Sequence, residues 1–83
     1  MHNMREYRVR LLGTRNVITK TFLMYYGLSG CSFAGVAQKV ANKLVSGELG
    51  GESGTGVAIT NWQGHTKVYD FDPVEKARVR VRR

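Results

Sequence analysis

The sequence is poor in acids, cysteine, proline and long apolar runs, and each shortage excludes something. Six Asp plus Glu stand against 13 Lys plus Arg in 83 residues, a formal net charge of +7. Such a chain is drawn to acidic partners and cannot itself imitate one. The one cysteine, Cys31, rules out an internal disulfide framework and fits a reducing compartment, so a cytoplasmic location is expected. The longest apolar runs, such as Phe22 to Tyr26, fall far below the ~18 residues of a membrane span. Met1 to Arg15 lacks the apolar core of a signal peptide, so none is expected. With one proline and 42% hydrophobic residues the composition is that of a globular chain, not a disordered one. One domain over 1–83 is expected, burying roughly 60% of the surface its unfolded chain exposes. That leaves a small core and little room for a water-excluding catalytic cleft, so the expected activity is binding without catalysis.

The positive charge sits at the two ends. From Met1 to Tyr26, Arg5, Arg8, Arg10, Arg15 and Lys20 oppose Glu6 alone, a net +4. From Gly27 to Asp72, Lys39, Lys43 and Lys67 meet Glu48, Glu52, Asp70 and Asp72, a net −1. Pro73 to Arg83 is again +4, with five cations against Glu75. The ends form one electropositive surface only if the fold brings them together.

Residues 6–12 alternate, with Tyr7, Val9 and Leu11 on one side and Arg8 and Arg10 on the other, the period of a half-buried strand. Gly13-Thr14-Arg15-Asn16 is turn chemistry, so a second strand from Val17 to about Tyr26 should fold back as a hairpin. Pairing Leu12 with Val17 would set Arg10 against Thr19 and Arg8 against Thr21. Lys20 would then fall on the apolar face, where it must snorkel at the sheet edge or sit by a bulge. From Phe33 the period changes: Phe33, Val36, Ala37, Val40, Ala41, Leu44 and Val45 mark one face of a helix. Ser29 or Ser32 can cap its start, Gly47 its end, and Gln38, Lys39, Asn42 and Lys43 fall on its wet face. Residues 47–56 hold five glycines and read as a flexible loop. Val57 to Trp62 and Thr66 to Phe71 read as a second hairpin around Gln63-Gly64, stopped by Asp72-Pro73. Residues 76–83 form either a short basic edge strand or a basic tail. The expected fold is α+β: an antiparallel sheet of four to five strands, ordered β-β-α-β-β with an optional C-terminal edge strand, and one helix packed on one face.

If the helix covers Tyr7, Val9 and Leu11, then Arg8 and Arg10 project from an open sheet face. Arginines on such a face neutralise phosphates, and exposed aromatics beside them stack on bases. Trp62 and His65, flanking the second hairpin's tip, are candidates for an aromatic platform, although Trp62 would equally close one end of the core. Arg15, Lys20 and Lys67 extend the cationic set, and Lys76, Arg78, Arg80, Arg82 and Arg83 place five cations in eight residues at the C-terminus. Arginines on an edge also simply protect against aggregation.

Other motifs carry less. Gly27 to Gly35 precedes the helix N-terminus but lacks the Lys-Ser/Thr ending of a nucleotide loop. Gly30 to Ala34 lacks the second glycine of a serine-hydrolase elbow. A GxxG clamp at Gly27 to Gly30 follows a strand, where a clamp of the KH type lies between two helices. Gly51 to Gly56 follows a helix C-terminus, which repels phosphate. Cys31 near a helix start is either a reactive thiol or a small buried residue. One cysteine and two distant histidines give no metal-ligand spacing, so neither metal nor cofactor is expected.

Tyr7-Arg8-Val9-Arg10 as a first strand, a returning strand, Ser32-Phe33-Ala34-Gly35-Val36-Ala37 opening a helix, a glycine loop and a closing hairpin together resemble small α+β proteins of phages and mobile elements, the anti-CRISPR proteins among them. That resemblance spans Tyr7 to Phe71 in size and element order, and it implies a wedge or adaptor that binds the protein surface of a host defence effector, as an inhibitor docking on the complex, or its nucleic acid. The residues themselves point first to a non-enzymatic module that engages nucleic acid or a nucleoprotein through phosphates. A free sheet edge on so small a domain would also gain core by pairing with a second copy, which leaves a homodimer open.

Overall fold

The computed structural model describes residues 4–27, 32–49 and 54–82. Five strands and one helix follow in the order β1 (Met4–Leu12), β2 (Ile18–Gly27), α1 (Phe33–Ser46), β3 (Gly56–Thr60), β4 (Thr66–Phe71) and β5 (Val79–Val81). The strands make one open antiparallel sheet ordered β2-β1-β3-β4-β5, with α1 on one face, which is the α+β architecture the alternation and the helical period imply. No described helix is long and apolar enough to cross a membrane.

The core lies between sheet and helix. β1 contributes Tyr7, Val9 and Leu11, β3 Val57 and Ile59, β4 Tyr69 and Phe71, and α1 Val36, Ala37, Val40 and Ala41, all buried. Small residues at 37 and 41 let the helix approach the strands closely. It lies over β3, β4 and β5, so β2 is the less covered side of that face. Val45, assigned to the apolar helical face by spacing, is 59% exposed, while its neighbour Leu44 packs against the core. Ser32 caps the helix, its hydroxyl accepting from Gly35 N–H at 3.1 Å, and Gly47 ends it at φ 83°, the left-handed conformation that only glycine adopts without strain.

The first hairpin closes one residue later than turn chemistry suggests. Arg15 and Asn16 both take φ 60°, Gly13 N–H donates to Val17 C=O at 2.8 Å, and Leu12 pairs with Ile18. A register shift between Leu11 and Leu12 follows, so Arg10 faces Thr21 and Arg8 faces Leu23, in place of Thr19 and Thr21. Parity survives the correction, and so do the faces. Lys20 meets both expectations at once, exposed on the edge strand and opposite Leu11 beside the shift. β3 ends at Thr60, with Trp62 in the turn beyond it. The C-terminal segment forms the edge strand β5, not a tail, with Val79 half-buried against the core. Of the glycine loop at 47–56, residues 50–53 lie outside the described residues. Its far end is anchored, Thr55 N–H donating to Leu12 C=O at 2.8 Å. Cys31 and the turn at Gly27 to Gly30, apart from Gly27 itself, also lie outside them.

Candidate binding site on the open sheet face

Strand alternation sorts the side chains into two faces. The face without the helix carries Glu6, Arg8 and Arg10 from β1, Thr21, Leu23 and Tyr25 from β2, Ala58 and Thr60 from β3, Thr66, Val68 and Asp70 from β4, and Arg80 from β5. Both basic ends of the chain therefore reach one surface. Their strands are three spacings apart, about 14 Å.

The two ends differ in how their charge is used. Among the described residues Arg8 and Arg10 have no ion-pair partner. Arg10 lies across the sheet, its Nη2 3.4 Å from Thr60 Oγ1 and its Nε covered without an acceptor among the described residues. Thr60 in turn shares a 2.7 Å hydrogen bond with Thr66 across β3 and β4. The guanidinium is thus already oriented over a floor of small and hydroxyl-bearing side chains, which lowers the entropy lost when it meets a ligand.

The three C-terminal arginines among the described residues each pair with an acid. Arg78 pairs with Glu75 at 3.6 Å, Arg80 with Asp72 at 3.2 Å and Arg82 with Asp70 at 2.6 Å. Arg82 also donates from Nη1 to Asn16 Oδ1 at 2.9 Å, tying the C-terminus to the first hairpin's turn, where Arg15 stands exposed. Gly56 makes room for this reach: a Cβ there would stand 3.1 Å from Arg82 Nη2. Asp72 Oδ1 accepts from the Val74 and Glu75 N–H groups, each at 2.8 Å. These backbone bonds, first of all that from Glu75, hold its carboxyl below the ordinary 3.8, with Arg80 and Arg78 adding to them. A lowered folded pKa gives stability that is complete above the unfolded value and lost as the pH falls through the folded one. Asp72→Asn keeps an acceptor for the turn but removes the titration, so its unfolding midpoint should depend less steeply on pH below about 4 than that of the wild type.

Trp62 and Lys67 lie on the other face. Trp62 packs edge-on against Tyr7 at 5.7 Å, and Tyr7 meets Tyr26 at 6.0 Å and Phe33 at 6.4 Å. Arg5 stands over Trp62, Lys39 over Tyr26 and Lys67 over Phe33, at 5.1, 5.6 and 5.7 Å. Trp62 thus closes the end of the core beneath Arg5 and is no part of the Arg8 surface. His65 is exposed in the turn, its backbone N–H donating to Asn61 Oδ1 at 2.9 Å. Lys20 lies on the helix-side face at the β2 edge, and Lys76 and Arg78 in the β4–β5 connection. Arg83 lies outside the described residues.

Tyr25 and Leu23 belong to the open face and are absent from the sequence-based set. They are 51% and 44% exposed, Leu23 directly opposite Arg8 and Tyr25 opposite Glu6. The same period of two that sorts Arg8 from Val9 places them there.

The fold and this surface define an open-faced α+β module, one helix behind a five-stranded antiparallel sheet. No protein-family model matches the sequence, and comparisons with curated proteins and with solved structures return no match.

Proposed function

We propose that the chain is a binding module that engages nucleic acid, alone or within a nucleoprotein, through phosphate contacts on the open sheet face. The observation that carries the reading is the pair Arg8 and Arg10, without an ion-pair partner among the described residues, Arg8 opposite Thr60 and Arg10 opposite Ala58 with its Nη2 3.4 Å from Thr60 Oγ1. An extended strand laid on this face would meet the guanidinium groups with its phosphates, and Tyr25 offers a ring on which a base can stack for ~1 to 3 kcal/mol. Most of the contacts being to phosphate, sequence preference should be weak. Fluorescence anisotropy with labelled single-stranded oligonucleotides tests it. The expected result is tight binding at low salt and a log-linear loss as salt rises, with a slope contribution of about −0.7 per phosphate contact. An affinity indifferent to salt would remove the reading.

A second reading, an inhibitor of anti-CRISPR type docking on a host protein complex, draws on the exposed Leu23 and Tyr25 beside the arginines. A lysate pull-down that survives nuclease and high salt would favour it over the first.

A further inference from the structure

Three further cations stand together behind one end of the sheet. Arg5 comes from β1, Lys39 from α1 and Lys67 from β4, and each lies over a ring, of Trp62, Tyr26 and Phe33 in turn. All three rings meet Tyr7, their centroids 5.7 to 6.4 Å from its own. One aromatic cluster therefore gathers positive charge from three separate elements. None of the three cations has an ion-pair partner among the described residues. The rings hold them in place without neutralising them, because a ring attracts a cation through its quadrupole and carries no net charge.

The acids lie elsewhere. At this end of the sheet β1 and β4 begin and β2 finishes, and Glu6, on the open face opposite Tyr25, is its one acid among the described residues. Asp70, Asp72, Glu75 and Glu48 stand toward the other end, where β4 and α1 finish, and there they meet Arg82, Arg80, Arg78 and Lys43. Arg5 also repeats a feature of Arg10. Among the described residues the Nε atoms of these two arginines are the covered side-chain nitrogens left without an acceptor. An anion seated on either guanidinium offsets the cost of that burial.

We propose that this cluster is a second phosphate-contact site, which holds a single nucleic-acid strand again after it turns from the open face over the end of the sheet; the inference rests on the nucleic-acid reading above. Arg8 and Arg5 lie three residues apart on β1, about 10 Å along the strand, and on opposite faces. A strand that follows β1 from Arg10 past Arg8 thus arrives at the rim behind which Arg5 stands. Lys67 likewise follows Thr66, whose side chain belongs to the open face. A single strand bends over such a rim, whereas a duplex, stiff over about 150 base pairs, does not follow it.

Trp62 is the chain's single tryptophan and lies in this cluster, 5.1 Å from the Arg5 guanidinium and away from the open face, so its emission reports on the second site. Titrating the full chain with a labelled single-stranded oligonucleotide, followed by the anisotropy of the label and by Trp62 emission, separates the two sites. In the wild type both signals should change over the same concentration range. Lys39→Gln/Lys67→Gln should keep its circular dichroism spectrum, shrink the emission change and flatten the log-log salt slope by about 1.4, at about 0.7 for each phosphate contact. Lys20→Gln/Lys76→Gln removes the same charge from exposed positions outside the cluster and should leave both signals near those of the wild type. Should the Lys39 and Lys67 variant not fold, the wild-type emission titration decides by itself. A wild type that binds no oligonucleotide removes both the open-face reading and this one. Salt-dependent binding that leaves Trp62 emission unchanged, or that responds equally to the two lysine pairs, overturns the second site and leaves the open-face reading standing.

Discussion

Ile59→Ala is expected to destabilise the protein by about 2 to 5 kcal/mol, the ordinary cost of truncating a fully buried isoleucine. Ile59 is wholly inaccessible, sits on the central strand β3 opposite Val9, and shares its core with Val36 and Val40 of the helix. Small neighbours at 37 and 41 cannot move in to fill the space, so the cavity persists. A chain of this size has a total stability of about 4 to 12 kcal/mol, which makes the loss a large share of the whole. Urea denaturation should show a strongly lowered midpoint with little change in slope. Val81→Ala, at a half-exposed position on β5, should cost less than about 0.5 kcal/mol. Equal costs at the two sites would contradict the assignment of the core.

Gly56→Ala is the second large effect, and it acts by overpacking. A Cβ at Gly56 would stand 2.8 Å from the carbonyl oxygen of Tyr69, a backbone atom of the neighbouring strand that cannot swing aside, and 3.3 Å from Asp70 Oδ1. Both central strands would have to part, at about 1 to 3 kcal/mol. In a domain this small each kcal/mol lowers the melting temperature by about 4 to 8 °C. The same methyl would press on Arg82, whose guanidinium crosses Gly56 to reach Asn16. Gly64→Ala, on the exposed turn at φ 85°, meets no atom within 4 Å and isolates the separate cost of a left-handed conformation. A Gly56 variant that melts with the wild type would show that the strands tolerate a wider spacing than the register implies.

How far the sequence disclosed this molecule depended on whether an element is specified locally. The helix from Phe33 and its glycine stop at Gly47 follow from periodicity and from the one residue that takes positive φ freely. The face of Arg8 and Arg10 follows from alternation with Tyr7, Val9 and Leu11, and it tolerates a two-residue error in register because parity is unchanged. Tyr25 and Leu23 were readable by the same parity, carried to the end of β2. The ion pairs at the C-terminus were not, since Asp70 meets Arg82 and Asp72 meets Arg80 only after β5 is laid beside β4 in a particular register. Trp62 could not be placed either, because the turn from Asn61 to His65 decides which face it joins. Cations that look alike in the sequence thus separate in the fold: among the described residues Arg8 and Arg10 stand without ion pairs on the open face, while Arg78, Arg80 and Arg82 each meet an acid.

That distinction is the centre of the functional proposal, and equal removals of charge test it most directly. Arg8→Ala/Arg10→Ala and Arg80→Ala/Arg82→Ala each delete two positive charges, so net charge alone would weaken binding equally. The salt dependence of single-stranded oligonucleotide binding should be measured for both double variants and the wild type, with thermal unfolding to confirm that each is folded. The open-face pair should carry the contacts: its loss should flatten the log-log salt slope by about 1.4, at about 0.7 for each phosphate contact. The ion-paired arginines should change the slope by much less. Equal flattening in the two variants, or a larger effect from Arg80 and Arg82, would contradict the open-face account.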